Sequence, residues 1–410
     1  TDGTSHADAA ASVTGPPEMS LFRLPEDVLY LILSYLDFKS LIRLSQVCKK
    51  LYHFANGDAV WRKIAKDCIN TGVTRQGTDL YSYISLKSRV RVSHNWAQGK
   101  CNKDALLKWK PYLLPWLQLD RDVLYLSQAA EICAYHLRTG RGKFQRNRFA
   151  VFSGHHGDVC RFVLTDTHLI SAGCDGKIIV HDRGNDLSME IFGHNQEVNC
   201  IDCKGNVIVS GSRDKSARVW TLSSIRTGEC LNTIPTFDRV WSVAISPTIC
   251  TFVTGTACCK DFTPLRIWDT ERCQLVSCLG AEFRRGAGVL DIAYESPFQL
   301  LTCGYDTYIR YWDLRVCSRK CVMEWEEPHD SALYCMQTDG NHMIAAGTAH
   351  HGVVRLWDKR KTRCLRMFQL TSAISSPVYS LRFNTSHLYA ALASSLYALD
   401  FNGTGPRARR

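Results

Sequence analysis

Between residues 170 and 360 one pattern recurs five times, and its period leaves few folds open. Small residues and a polar turn lead into a β-rich stretch that usually closes on Trp-Asp. The copies read SAGCDGKIIVHD from Ser171, SGSRDKSARVWT from Ser210, TGTACCKDFTPLRIWD from Thr254, TCGYDTYIRYWD from Thr302 and AGTAHHGVVRLWD from Ala346. A weaker copy, ALASSLYALD, closes at Asp400. Aligned on their last residues, the copies are spaced by 39, 48, 44, 45 and 42 positions. A unit of that size cannot bury its own apolar face and must stack on its neighbours, so the copies belong to one continuous structure.

Repeats of about 40–45 residues closing on Trp-Asp mark four-stranded blades of a WD-type β-propeller, a rigid display surface suited first to binding. Upstream, LPWLQLD from Leu114, VLYLSQ from Val123 and EICAYHL from Glu131 fit three further strands and bring the count to seven blades. The last copy stops at Asp400 without a fourth strand. An open ring would leave unpaired strand edges, so the segment Asp104 to Trp109 is expected to pair near Leu396 to Asp400 and close it.

The 410 residues exceed the propeller, so a second domain is expected. No run approaches the ~18 uninterrupted apolar residues that a membrane span needs. The first residue is Thr1, not Met, which leaves an earlier targeting segment open. The 19 cysteines are scattered, many at strand positions, and read as small free hydrophobes in a reducing compartment, cytoplasmic with a nuclear alternative. A net charge of +11 raises nucleic acid as a partner, but basic residues cluster only in Arg138 to Arg148 and at Arg407, Arg409 and Arg410. Solvated loop and tail are the plainer reading, and an acidic protein partner fits this charge as well as phosphate does.

His194, Ser210, Asp214 and Trp220 combine a Ser, a His and an Asp in one blade, which invites a hydrolase triad. The competing reading is a buried hydrogen-bond chain inside the blade, and partial copies (His155 with Asp175, Asp306 with Trp312) favour architecture over chemistry. Cys200-x-x-Cys203 lacks a second ligand pair, and Cys258-Cys259 reads as packing. No catalytic residue, metal or cofactor is therefore expected.

Residues 1 to 19 have a disordered composition. The chain then turns to LFRLPEDVLYLILSYLDFKSLIRLSQVCKKLYHFANGDAVWRKIAKD. Pro25 can open a helix at no hydrogen-bond cost, and Val28, Leu29, Ile32, Leu33 and Leu36 follow at helical spacing. A second helix fits Ser40 to Leu51, striped by Leu41, Leu44, Val47, Cys48 and Leu51. Asp58 can cap a third, carrying Trp61, Ile64 and Ala65. Three helices in this span carry more apolar side chains than so small a core can bury. Either the propeller or the helices of a partner must cover the excess.

Leu24-Pro25, Ile32-Leu33, Leu36, Val47-Cys48-Lys49 and Trp61 resemble the F-box, an adaptor-binding motif. An F-box over 20–66, a helical linker over 67–99 containing His94-Asn95-Trp96, a propeller over 100–401 and a basic tail over 402–410 resemble the F-box/WD-repeat family. The resemblance implies an α+β multidomain chain: a three-helix F-box and linker, then an all-β seven-bladed propeller. It further implies a non-catalytic substrate receptor of a cullin–RING ubiquitin ligase. The F-box would dock on the Skp adaptor through Leu24, Pro25, Leu29, Ile32, Leu33, Leu36, Leu41, Leu44, Val47, Cys48 and Leu51. The adaptor would hold cullin and RING subunits, the linker would fix a distance, and the propeller would present a protein substrate for ubiquitination. The alternative is a scaffold that assembles proteins without promoting their degradation.

Mapping the repeat onto the chain puts Cys174, Asn199, Arg213, Trp241, Leu290, Tyr305, Tyr334 and Tyr379 around one rim of the channel, with Arg239 nearby. Arginines at these positions bind phosphorylated peptides in some relatives. Here Arg213 fits that pattern, whereas Trp241, Tyr305, Tyr334 and Tyr379 fit anchors for apolar side chains. Inward packing of these aromatics between blades is the competing reading.

Overall fold

The computed structural model describes residues 21–137, 144–223, 225–259, 262–316, 320–372 and 375–403. The segment 1–19, the first six residues of the basic run from Arg138 and the tail from residue 404 lie outside them. The chain forms two compact units, one ending at Asp67 and the other starting at Cys68.

In the first unit, a 3-10 turn (Leu21–Arg23) and Pro25 lead into α1 (Glu26–Leu33). Glu26 and Asp27 occupy its first turn, where carboxylates favour the positive end of the helix dipole. Helix α2 (Phe38–Leu44) is capped by Asp37, whose carboxylate accepts from Ser40 N at 3.0 Å. The side-chain and backbone hydrogen bonds from Ser40 hold this carboxyl below its ordinary range. Helices α3 (Lys49–Asn56) and α4 (Asp58–Asp67) complete the unit.

The single helix expected over Ser40 to Leu51 is thus two. The chain leaves the helix at Ser45, whose hydroxyl donates to Ile42 O at 2.7 Å. Cys48 then takes an extended conformation (φ −157°, ψ 164°), and its sulfur accepts from Leu51 N at 3.4 Å to start α3. The break lets two short helices wrap one core: Phe38 meets Trp61 edge-on at 5.8 Å, and Tyr30 meets Phe54 at 5.4 Å. Trp61 is fully buried and donates from Nε1 to Ala55 O at 2.7 Å.

The second unit is a ring of seven four-stranded antiparallel sheets. Blade 1 spans 117–152, blade 2 159–191, blade 3 198–235, blade 4 240–279, blade 5 289–326, blade 6 333–369 and blade 7 378–400. The earliest strand, Asn102–Lys108, forms the outer edge of blade 7 by pairing with Ser395–Asp400 (Asp104 opposite Ala398, Lys108 opposite Ser395). Both ends of the propeller are therefore sewn into one sheet, as the missing strand required. Trp109 continues the seam, donating from Nε1 to Ala393 O at 2.8 Å. Blade 1 gains its fourth strand, Ala150–Phe152, beyond the basic run.

The small residues that begin each repeat have a steric reason. A Cβ at Gly211, Gly255 or Gly347 would come within 2.3, 2.9 or 2.6 Å of Val240, Val289 or Val378 on the first strand of the next blade. Only glycine admits that approach.

The linker departs from expectation. Only Leu86–Gln98 (α5) is helical; residues 68–85 are turns with a single bridge, Val73 to Asp79. Arg89 is 1% exposed and pairs with Asp79 at 2.7 Å while its Nη1 donates to Thr71 O at 2.7 Å, which ties the turns to α5. The segment belongs to the propeller unit because Ile69, Val92 and Trp96 enter the core of blades 6 and 7. Asn70 N donates to Asp339 Oδ2 at 2.8 Å, and Trp96 Nε1 donates to Thr385 O at 2.9 Å. These partners lie in the turns after the first strand of blades 6 and 7, so the linker covers part of the lower face and leaves the opposite rim open.

Candidate functional site

Two surfaces carry the residues singled out from the sequence. On the helical unit, Leu29, Leu33, Leu41 and Leu51 are 0 to 7% exposed and lie in the core of the unit. Leu36 and Leu44 are half-buried, and Cys48 serves as the α3 cap, although its residue is exposed. Leu24, Pro25, Ile32 and Val47 remain on the surface. Beside them Val28, Leu31, Tyr35 and Tyr52 are 39, 58, 75 and 58% exposed, and the stripe assigned from the sequence left Leu31, Tyr35 and Tyr52 out. The signal was present: EDVLYLIL is apolar nearly all round, and a helix of that kind must be covered on both sides. Its inner side packs in the unit while its outer side stays bare.

The four residues of blade 3 form one chain of hydrogen bonds. Trp220 Nε1 donates to Ser210 Oγ at 2.8 Å, Ser210 Oγ meets His194 Nε2 at 2.7 Å, and His194 Nδ1 meets Asp214 Oδ2 at 2.8 Å. With Ser210 accepting from the indole, its proton goes to His194 Nε2, which leaves Nδ1–H for Asp214. Ser210 is 0% exposed and its oxygen is shared between two neighbours, so no substrate can approach it. Burial pushes the Asp214 carboxyl up, but hydrogen bonds from His194, Ser216 and Asn195 N outweigh it and hold the pKa far below the ordinary carboxylate range. Blade 2 repeats the motif with His155, Asp175 and Ser171 but places His181 where the Trp belongs. Among the described residues, blades 4 and 5 keep a Thr–Trp bond from this set, 2.9 Å each. Blade 6 has Ala346 in place of the hydroxyl, and Trp357 Nε1 is left buried without a partner. Partial copies in several blades are what a packing device repeated with the fold leaves behind.

On the upper rim the structure brings the four predicted aromatics together. Trp241 lies 5.2 Å from Tyr305, Tyr305 6.0 Å from Tyr334, and Tyr334 5.6 Å from Tyr379, centroid to centroid, so the rings form one arc over blades 4 to 7. Tyr305 is 41% exposed and the other three are partly exposed, so none is lost in the core. Trp241 owes its position to Gly288, where a Cβ would come within 2.4 Å of the indole. Burial, with the hydroxyl of Tyr305 beside it at 3.4 Å, pushes the Tyr334 phenol far up. Arg161 stacks on Trp116 at 3.9 Å and reaches across from blade 2 to Leu290 O and Asp291 of blade 5, at 3.3 and 3.4 Å. Arg161 thus bridges opposite blades next to Leu290, one of the rim positions.

Arg213 and Arg239 lie off the arc, in a pocket of about 540 Å³ shared with Lys215 and Phe237 between blades 3 and 4. Arg213 is already paired with Glu197 at 3.0 Å, and Arg239 points its guanidinium at Cys259 Sγ, 3.4 Å away. A larger groove, about 830 Å³, opens from Tyr305 along blade 5 past Phe283, Arg284, Tyr308 and Met323. Cys200 and Cys203 are both buried in the first strand of blade 3. In the basic run Arg148 pairs with Glu131 at 3.1 Å.

A compact helical unit with one bare apolar face, joined to a closed seven-bladed WD propeller, defines the class of F-box/WD-repeat proteins. Comparison with known proteins agrees: the F-box-like family model matches residues 21–67, and the WD domain, G-beta repeat model matches 185–221, the segment holding the complete hydrogen-bond chain. The chain is 57% identical to F-box/WD repeat-containing protein 4 of Homo sapiens over 394 residues, covering 96% of this chain and 95% of that one. It is 58% identical to the Mus musculus protein of that name over 383 residues, 93% of each chain. The chain belongs to the F-box/WD repeat-containing family. Within it, the run from Glu295 to Arg315 resembles dactylin, the other name of F-box/WD repeat-containing protein 4. Among the described residues no helix is long and apolar enough to cross a membrane.

Proposed function

We propose that the chain is the substrate-recognition subunit of a Skp–cullin–F-box ubiquitin ligase: its helical unit binds the Skp adaptor and its propeller rim holds a protein substrate. The observation that carries this reading is the bare outer side of α1 and its two flanks, where Leu24, Val28, Leu31, Ile32 and Tyr35 are all at least 36% exposed. Burying each such side chain against a partner stabilises by roughly 1.5–3 kcal/mol. The chain itself makes and breaks no bond in this scheme. It contributes proximity, holding a substrate lysine where a ubiquitin thioester can reach it.

On the rim, the uncharged arc favours a substrate segment with apolar anchors over a phosphorylated one, and the prior engagement of Arg213 with Glu197 points the same way. Calorimetric titration of the adaptor tests the first half. A Leu24→Ala/Ile32→Ala/Val47→Ala variant alters only surface positions, so it should fold and lose about a hundredfold or more in affinity. Full affinity in that folded variant overturns the assignment. On the rim, Trp241→Ala and Tyr334→Ala should each weaken substrate capture by about 2 kcal/mol, with adaptor binding unchanged. Loss of capture on phosphatase treatment or in Arg213→Ala, with the aromatic variants unaffected, supports a phosphorylated substrate instead.

A further inference from the structure

The rim has a second chemical character on the side away from the aromatic arc. In blade 2 the position that carries Trp241, Tyr334 or Tyr379 elsewhere is Cys160, and the position of Arg213 or Tyr305 is Cys174. Their sulfurs are 3.3 Å apart. The backbone fixes this approach from both sides. The ladder between Val159–Leu164 and His168–Gly173 shifts register between Val159 and Arg161, which makes Cys160 the bulged residue, and a bulge re-aims its side chain. Cys174 N donates to Asp158 O at 2.8 Å, holding the turn against the start of that strand. Cys174 is exposed and Cys160 half-buried, so a small reagent reaches the first thiol and finds the second behind it.

We propose that Cys160 and Cys174 are a modification site, an exposed dithiol that a hydroperoxide converts to a disulfide across the rim of blade 2. The Cys174 thiolate attacks a peroxide oxygen and the O–O bond breaks. The departing hydroxide takes a proton to leave as water, and Cys174 becomes a sulfenic acid. The Cys160 sulfur then attacks that sulfur, the S–O bond breaks, and hydroxide leaves with the Cys160 proton as a second water. Two thiols lose two electrons and two protons, and one hydrogen peroxide becomes two waters. A disulfide bond of about 2.05 Å asks the sulfurs to close by roughly 1.2 Å, within reach of a small rotation of the exposed Cys174 side chain.

The local electrostatics assign the roles. The hydrogen bond from Cys160 favours the Cys174 thiolate and lowers its pKa; burial and the carboxylates of Glu197, Asp158 and Asp175 oppose it without reversing the direction. Donation to Cys174 and burial push the Cys160 thiol up, which suits the second, resolving position. Such asymmetry is common to redox-active cysteine pairs.

The test uses the full chain, reduced, desalted and exposed to hydrogen peroxide near stoichiometry, then alkylated and digested with trypsin. The expected product joins the peptide ending at Arg161 to the peptide 162–177 with the loss of two hydrogens, and thiol reductant reverses it. It should form at least roughly tenfold faster than the exposed Cys250 or Cys278 oxidise, since among the described residues neither sulfur accepts from a neighbouring thiol. In Cys160→Ser, Cys174 should accumulate as a sulfenic acid trapped by dimedone; in Cys174→Ser neither product should appear. Oxidation of the other exposed thiols before any 160–174 cross-link forms overturns the proposal. So does a Cys160→Ser variant in which Cys174 is no more reactive than they are.

Discussion

Trp96 is the test of the linker's place in the second unit. Its side chain is fully buried, stacks on Phe401 at 3.6 Å, meets Phe383 edge-on at 5.8 Å and donates to Thr385 O at 2.9 Å. Phe401 follows the last strand, so this one indole couples α5 to the sheet that closes the ring. Trp96→Ala removes a large buried aromatic, which costs about 3–5 kcal/mol, and leaves the Thr385 carbonyl without its donor at a further ~1 kcal/mol. Trp96→Phe keeps the stacking and loses the hydrogen bond, so it should cost about 1 kcal/mol. Urea denaturation of the three proteins gives the stability differences, and hydrogen exchange locates them. Faster exchange should appear in Leu86–Gln98, His387–Leu392 and Ser395–Asp400, with the central strands of blades 3 and 4 unchanged. A Trp96→Ala protein within 1 kcal/mol of the parent, or exchange that rises evenly around the ring, would refute the clamp and restore the separate helical linker expected from the sequence.

Three further outcomes follow from the blades. Ser210→Ala strands Trp220 Nε1 and His194 Nε2 in the interior and should cost about 2–4 kcal/mol in denaturant unfolding, whereas Ala346→Ser supplies the partner Trp357 Nε1 lacks and should stabilise by about 1 kcal/mol; equal effects would contradict the network. Burial lowers the His181 pKa to about 4, so the fold binds the neutral ring; stability is full above the unfolded pKa near 6.5 and falls as pH drops from there to about 4, by roughly 3 kcal/mol in all. His181→Phe should flatten that part of the acid profile, and an unchanged slope would count against the assignment. Gly288→Ala places a methyl against the Trp241 ring and should shift the indole's fluorescence and weaken substrate capture, while leaving adaptor affinity as it was; an unaltered spectrum would mean Trp241 does not lie on that glycine.

The ring was legible in the sequence because each blade repeats the same steric demands: a glycine where the next blade passes, and apolar residues alternating along strands of period two. Closure by Asp104 to Trp109 was expected for a negative reason, since an unpaired edge at Asp400 needed a strand; the strand that pairs there runs from Asn102 to Lys108, two residues earlier at its start and one at its end. The rim arc followed from register, because a repeat aligned on Asp306 and its counterparts fixes which residues reach the same edge. What periodicity could not show was the break at Ser45 to Cys48, where one sulfur cap divides a stripe that fits a single helix. Nor could it separate the inner from the outer apolar positions of α1, since Leu29 and Ile32 differ only in which neighbours fold over them. The docking of α5 was hidden for another reason: Trp96, Phe401 and Thr385 are brought together by the closure itself, some 300 positions apart in sequence.

The central claim is that the two surfaces bind different partners and act together on one substrate. Quantitative mass spectrometry of proteins bound by the chain in cells, with turnover measured in parallel, tests it most directly. The Leu24→Ala/Ile32→Ala/Val47→Ala variant should lose the adaptor and keep the substrate, Trp241→Ala/Tyr334→Ala should do the reverse, and the same protein should live longer in both. If a protein held by the rim turns over at the same rate whether or not the adaptor is bound, the chain is a scaffold and the ligase reading is wrong.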